Sequence, residues 1–221
     1  MPTLSRRLWS QYLVSDRAIR LGLKPLVFAV SLWPVASVLL AALTHQLNVN
    51  PFNAIVRSTG FWSLRFLCLT LAITPFRWLT GWHSVVKLRR MMGLFSFFYG
   101  TLHVLAYVVF DVFAGVDAAD RVRPMRMTTQ VLWAIGVDVV RRPFFAIGVA
   151  AFVLMVPLAA TSTVGMIRRL GGRRWQIVHR LVYAAAIASV VHTYWPLALR
   201  ARRYEMILGI VVALRLGRAY A

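Results

Sequence analysis

Three histidines lie inside apolar stretches that are long enough to cross a bilayer. His103 lies in the stretch 91–111, and His179 and His192 lie in the stretch 176–198. Ionisable side chains at membrane depth are costly and rare, so each of these histidines is a candidate functional residue. Neutral imidazole is also an axial ligand of haem iron. The first hypothesis for this pattern is therefore a haem held between two membrane helices.

The spacing of the histidines predicts which two would share an iron. His179 and His192 are 13 residues apart, which on a helix is about 20 Å. His103 follows Arg90 by 13 residues and is nearer in depth to His192 than to His179. The simplest bis-imidazole pair is therefore His103 with His192. Because an ideal helix separates His179 from His192 by about 140°, either this span is locally overwound or bulged, or the two imidazoles face different neighbours.

A haem at His179 would need a second ligand near the cytoplasmic side. Arg89 precedes His103 by 14 residues and lies on the same helix face, one level lower. The residues at this level are Arg89, Arg90, Met91 and Met92. Methionine is a known axial ligand, whereas arginine more naturally pairs with propionates or an anionic cofactor. With no Cys-x-x-Cys-His motif, the sequence predicts a non-covalent haem b and leaves a second one open.

Other roles for these side chains also remain open. An intramembrane histidine often bonds to a neighbouring helix or faces a proton path, so a proton-coupled transporter and a membrane anchor without haem are the alternatives. Basic residues that could hold propionates or a flavin phosphate, or contact lipid headgroups, are Arg89, Arg90, Arg173 and Arg174. Aromatic residues that could flank a porphyrin or anchor span ends are Tyr99, Tyr107, Tyr183 and Trp195.

Composition predicts an integral membrane protein. The 221 residues are 60% apolar and only 14% charged, with a mean hydropathy of +0.68, whereas soluble domains average about 45–50% apolar and roughly 25% charged. The formal charge of +20 comes from short basic clusters between apolar runs, which favours contact with anionic lipid headgroups over nucleic-acid binding. The single cysteine, Cys68, excludes an internal disulfide.

The apolar runs predict an all-α polytopic bundle of about six transmembrane helices. The predicted spans are 25–44, 60–79, 91–111, 143–163, 176–198 and 204–217, with a loop at 112–142. More lysines and arginines fall on the side of the N-terminus, which predicts that both termini are cytoplasmic. The expected organisation is a basic cytoplasmic segment, 1–24, followed by a six-helix domain, 25–221. The first span is too long for an ordinary cleaved signal peptide, which is the alternative.

Several motifs around the histidines closely resemble MsrQ, a family of haem-binding membrane subunits in the ferric-reductase-like transmembrane group. The segments that carry the resemblance are Leu71-Ala-Ile-Thr-Pro-Phe-Arg77, Arg89-Arg-Met-Met-Gly-Leu, Thr101-Leu-His103, Arg142-Pro-Phe, Thr161-Ser-Thr, Arg174-Trp-Gln-Ile-Val-His179-Arg-Leu-Val-Tyr183 and Val191-His192-Thr-Tyr-Trp195. The resemblance covers about residues 60–196. Its most specific part is Trp175-x-x-x-His179-x-x-x-Tyr183 with His192 thirteen residues after His179.

The resemblance implies six helices with haem between the third and the fifth, in the bacterial inner membrane. It implies an electron relay from a membrane quinone or a cytoplasmic flavin reductase to a periplasmic molybdopterin-containing methionine sulfoxide reductase. It also implies bound FMN, for which no motif is present. Two-haem relatives carry a His-x13-His pair on the third helix, whereas here Arg89 stands at the first position.

Overall fold

The described part of the chain is helical and crosses a membrane-sized thickness several times. A computed structural model describes residues 19–44, 51–112 and 124–195, together with residues 209, 210 and 213. Within these residues, five segments are long and apolar enough to span a membrane: Leu21–Leu43, Phe52–Thr80, His83–Phe110, Pro143–Ala160 and Val164–Tyr194. They correspond to the first five predicted spans, which confirms the polytopic all-α fold. The sixth predicted span, 204–217, lies almost wholly outside the described residues.

The segments 19–44, 51–112 and 124–195 contain seven α-helices, which are numbered here in chain order. They are α1 (Lys24–Leu43), α2 (Pro51–Thr80), α3 (Val86–Tyr107), α4 (Pro124–Arg141), α5 (Pro143–Ala160), α6 (Val164–His179) and α7 (Leu181–Tyr194). A π-helical turn, Ile19–Leu23, precedes α1. A 3-10 turn, His83–Val85, precedes α3, and a π-helical turn, Val108–Val112, continues it.

Glycine, proline and threonine set several of the helix boundaries. Helix α2 ends before Gly81, whose φ of 71° suits glycine, and whose N–H donates to the Arg77 carbonyl at 2.9 Å. Helix α5 begins at Pro143, and Arg142 before it is extended, with φ −121°, as residues before proline usually are. Thr163 caps α6 by accepting a hydrogen bond from the Met166 N–H.

The centre of the bundle is formed by α2, which packs against α3 on one side and α7 on the other. The cluster between α2 and α7 contains Leu64, Leu67, Cys68, Leu71, Val182, Ala186 and Val190. The cluster between α2 and the α3 region contains Phe66, Ile73, Val85, Leu88, Met92, Phe95 and Tyr99. Ala185 and Ala186 of α7 are fully buried, and small residues of this kind let membrane helices approach closely.

Tyr99 attaches α1 to this core. Its hydroxyl donates to the Ser31 carbonyl at 2.7 Å and accepts from the Val35 N–H at 3.3 Å. Ser31 and Val35 are four residues apart, so the hydroxyl is inserted into the hydrogen-bond ladder of α1. Tyr99 therefore joins α3 to α1. Tyr99 is also one of the four aromatic residues that could flank a porphyrin, and these two hydrogen bonds engage its hydroxyl.

The segment that we expected to be a loop, 112–142, contains helix α4. Tyr107 at the end of α3 donates a hydrogen bond to the Asp138 carboxylate of α4. Asp138 also pairs with Arg142, whose Nε lies 3.1 Å from Oδ1. An apolar stripe of Met125, Leu132, Trp133 and Val140 is exposed along α4. The expectation of a loop was wrong because an amphipathic helix with charged ends lacks the hydropathy of a span.

Candidate functional site

The structure brings His103 and His192 together at one end of the bundle. His103 lies near the end of α3 and His192 near the end of α7. Their ring centroids are 6.1 Å apart, and the ring planes are inclined by 75°. Both side chains are half-buried. The fold therefore places side by side two imidazoles that are 89 positions apart in the sequence.

Each of these imidazoles is held by a backbone carbonyl of a neighbouring helix. The Nδ1 atom of His103 lies 2.9 Å from the Val56 carbonyl oxygen of α2. The Nδ1 atom of His192 lies 2.7 Å from the Phe144 carbonyl oxygen of α5. Because a carbonyl can only accept, Nδ1 carries the proton in both rings, and Nε2 is left with a free lone pair. This is the tautomer that a histidine requires to bind a metal through Nε2.

The separation of the two rings fits a pair of axial ligands on one iron. If both Nε2 atoms bound one iron from opposite sides, two metal–imidazole bonds of about 2 Å, each extended by about 1 Å to the ring centre, would place the centroids about 6 Å apart. The observed centroid distance is 6.1 Å. Within the described residues, no group of three or more His, Cys, Asp or Glu could hold a bare ion. Two imidazoles suit haem iron because the porphyrin supplies the remaining ligands.

Aromatic side chains surround the same end of the bundle. The Phe144 ring stacks on His192 with centroids 6.1 Å apart. Tyr107, one turn after His103, contacts the Phe145 ring at 4.8 Å. Trp195, which follows the last turn of α7, is 58% exposed, which is typical of an anchor at the membrane interface.

His179 lies at the opposite end of the bundle. Its Nδ1 atom is 3.1 Å from the Trp175 carbonyl oxygen, and its ring stacks on the Trp175 indole with centroids 3.9 Å apart. The indole Nε1 donates to the carbonyl of Thr161 at the end of α5. Arg89 at the start of α3 lies close enough for its charge to act on the imidazole. The structure therefore brings Arg89 and His179 to the same level.

The other residues considered at this level have different positions. Met92 is buried in the cluster of α2 and α3, and Met91 packs against that cluster. Arg90, Arg173 and Arg174 are exposed. The methionines therefore belong to the core, while the three exposed arginines are placed to meet solvent or lipid headgroups at this end.

The helix is overwound between the two histidines of the fifth span. The Arg180 N–H donates to Gln176 and to Ile177, at 3.1 and 3.2 Å, and the Tyr183 N–H donates to Arg180 at 3.1 Å. Bonds across three residues turn the chain by about 120° per residue in place of about 100°. His179 and His192 also contact different elements. Both explanations that the sequence left open therefore hold.

Sequence reasoning missed the two carbonyl groups that hold the imidazoles. Val56 and Phe144 contribute backbone atoms, which have no signature in the residue types. A signal was nevertheless present in the residue one turn later, because Gly60 and Gly148 both interrupt apolar helices without a turn nearby.

Comparison with known proteins identifies the family of this chain. The profile of the family described as "Ferric reductase like transmembrane component" matches residues 59–190, which includes His103 and His179 and ends two residues before His192. A protein of Herminiimonas arsenicoxydans named "Protein-methionine-sulfoxide reductase heme-binding subunit MsrQ" is 43% identical over 198 residues, covering 88% of this chain and 82% of the relative.

Relatives of the same name occur in other bacteria. The protein of Ralstonia nicotianae is 44% identical over 181 residues, covering 82% of this chain and 74% of the relative. That of Rhodospirillum rubrum is 44% identical over 176 residues, covering 77% of this chain and 76% of the relative. By both the family profile and these long matches, the chain belongs to the MsrQ family of ferric-reductase-like transmembrane proteins.

Proposed function

We propose that this protein is a haem b electron-transfer subunit of the bacterial inner membrane, which passes electrons to a periplasmic molybdopterin methionine sulfoxide reductase. The observation that carries the proposal is the pair of imidazoles of His103 and His192, with centroids 6.1 Å apart and both Nδ1 atoms bonded to carbonyls. The named relatives are haem-binding subunits, which supports the same assignment.

The residues of the chain have separate tasks in this scheme. His103 and His192 would hold the haem through Nε2, and the carbonyls of Val56 and Phe144 keep both rings oriented. Haem, when bound, supplies one-electron redox chemistry at its iron. The surrounding helices would limit the access of water and hold the two ligands on rigid elements. Both effects would tune the reduction potential of the haem.

The opposite end of the bundle is the proposed entry side. His179 and Arg89 lie there together, and they would hold a second haem or the anionic groups of a flavin. Arg90 and Arg174 are exposed at this end and would contact FMN phosphate or anionic lipid. We propose that this end faces the cytoplasm and receives electrons from quinone or from a cytoplasmic flavin reductase. Transferred electrons would support the repair of oxidised periplasmic proteins.

Reconstitution tests this function directly. The full chain is expressed with ample haem supply, purified and placed in liposomes. A quinol or reduced FMN is added as the electron donor. A purified periplasmic methionine sulfoxide reductase and methionine sulfoxide are then added, and haem absorbance is followed. We expect the donor to reduce the wild-type haem, and we expect sustained reoxidation of that haem to require both the reductase and its substrate.

The alternatives predict different results in the same experiment. A colourless wild-type protein would contradict the proposal and favour a proton-coupled transporter. Full sulfoxide reduction with His103→Ala or His192→Ala would show that the chain serves only as a membrane anchor for the reductase.

A further inference from the structure

Each imidazole of the pair lies against a notch in a neighbouring helix. The notch consists of the carbonyl that the imidazole contacts and of the glycine four residues later in the chain: Val56 with Gly60 on α2, and Phe144 with Gly148 on α5. Residues four apart lie on the same helix face, so the carbonyl and the glycine form one surface. The same combination of carbonyl and glycine therefore occurs twice, on two different helices of the bundle.

An added methyl group would occupy the space of the imidazole in both notches. A Cβ atom on Gly148 would lie 2.6 Å from Nδ1 and 2.7 Å from Cε1 of His192. A Cβ atom on Gly60 would lie 3.0 Å from Nδ1 and 3.1 Å from Cε1 of His103. Both pairs of distances are below the roughly 3.5 Å at which non-bonded atoms pack without repulsion. Among the glycines of the described segments, these two alone would meet an imidazole.

Backbone conformation does not explain these glycines. The described glycines with positive φ are Gly81 and Gly171, and Gly60 and Gly148 lie within continuous helices. Alanine is the better helix former at such positions. Space for the imidazole is therefore the physical reason for a glycine at each position.

We infer that Gly60 and Gly148 are positioning residues for the two axial imidazoles, an inference that rests on the haem site proposed above. Each glycine lets the ring approach the helix closely enough for Nδ1–H to reach the carbonyl. That hydrogen bond sets the tautomer and leaves the Nε2 lone pair available to a metal. A side chain at either position would push the ring off its carbonyl and change how Nε2 meets iron.

The variants Gly148→Ala and Gly60→Ala test this inference in the full chain, expressed with ample haem. The readouts are the spin state from electron paramagnetic resonance and absorption, the haem content per polypeptide and the midpoint potential. We expect Gly148→Ala to lose most of the six-coordinate low-spin signal and to show a high-spin species. Gly60→Ala is expected to show a smaller loss, because its Cβ contact is less severe by several tenths of an ångström.

Two further glycines of α3 supply matched controls. A Cβ atom on Gly93 would lie 3.6 Å from Thr70, and one on Gly100 would lie 3.2 Å from the Ser63 hydroxyl. The Gly100→Ala variant crowds the packing of α2 on α3 without touching an imidazole. We expect both control variants to keep the wild-type spin state. Equal conversion to high spin in Gly100→Ala and Gly148→Ala would overturn the inference, because general helix packing would then be the cause.

The outcomes also separate this inference from the proposed function. A wild-type protein without haem contradicts the proposed function itself. A wild-type haem that depends on His103 and His192 but keeps its low-spin signal in both Gly60→Ala and Gly148→Ala contradicts the positioning role alone. If Gly148→Ala does not accumulate as a monodisperse protein, the milder Gly60→Ala decides, and an unchanged spin state there overturns the inference.

Discussion

Ser63 of α2 and Ser96 of α3 exchange hydrogen bonds across the helix interface. The Ser63 hydroxyl donates to the Ser96 carbonyl and the Ser96 hydroxyl donates to the Ser63 carbonyl, each at 2.9 Å. Ser96 is fully buried, so its hydroxyl has no access to water and depends on a partner inside the protein. This reciprocal pair holds together the two helices that carry Val56 and His103.

Removal of one hydroxyl from this pair should loosen the interface. We expect Ser96→Ala to lower the free energy of unfolding by about 0.5–1.5 kcal/mol, as for a typical intramolecular hydrogen bond. Titration with a denaturing detergent in mixed micelles measures the change. Ser189→Ala is the matched control, because the Ser189 hydroxyl bonds to Ala185 within its own helix. An equal loss of stability in the two variants would contradict a specific role at the interface.

The backbone conformation at Gly171 predicts that alanine substitutions at Gly171 and at Gly172 change the stability of the protein differently. Gly171 has φ 72° and ψ 158°, a region that is open almost only to glycine, so Gly171→Ala should destabilise the protein by about 1–3 kcal/mol. Gly172 has open space for a Cβ atom, and Gly172→Ala should be neutral or stabilising by up to about 1 kcal/mol. Unfolding midpoints of the two variants check this. Equal midpoints would refute the strain argument.

The hydrogen bond from Tyr107 to Asp138 should keep α4 on the bundle. A bond to a charged group contributes about 1.5–3 kcal/mol, so Tyr107→Phe should speed hydrogen–deuterium exchange in α4 while α2 and α3 stay protected. Tyr194→Phe, at a position 40% exposed, is the control. Unchanged exchange rates in α4 of Tyr107→Phe would mean that other contacts hold this helix.

The two ends of the bundle should behave independently. His179 lies about 20 Å along the helix from His192, and its ring is held by Trp175. We therefore expect His179→Ala to retain the low-spin signal of the haem at His103 and His192, while any pigment at the opposite end is lost. Electron paramagnetic resonance and haem content per polypeptide measure both effects. Disappearance of the low-spin signal in His179→Ala would contradict the separation of the two sites.

Hydropathy and histidine spacing were sufficient to predict much of the architecture. The apolar runs gave five spans that the structure contains, and helical rise alone placed His103 nearest in depth to His192. The start of α2 was less predictable. Arg57, whose side chain is exposed, lowers the hydropathy of the first turns of this helix. The predicted span therefore began at residue 60, whereas helix α2 begins nine residues earlier, at Pro51.

Other features depend on contacts that residue types do not encode. The carbonyls of Val56 and Phe144 are backbone groups, and their role becomes visible only when α2 and α5 are placed beside the imidazoles. The overwinding at Arg180 occurs without proline or glycine between His179 and His192. Tertiary packing sets such details, and the sequence supplied only the alternatives.

Electron paramagnetic resonance of the haem-loaded wild type, His103→Ala and His192→Ala tests the central claim most directly. The account predicts a bis-imidazole low-spin signal in the wild type and its disappearance in each single variant, because each removes one of the two axial ligands. Persistence of that low-spin signal in either alanine variant would show that a different pair of residues binds the iron.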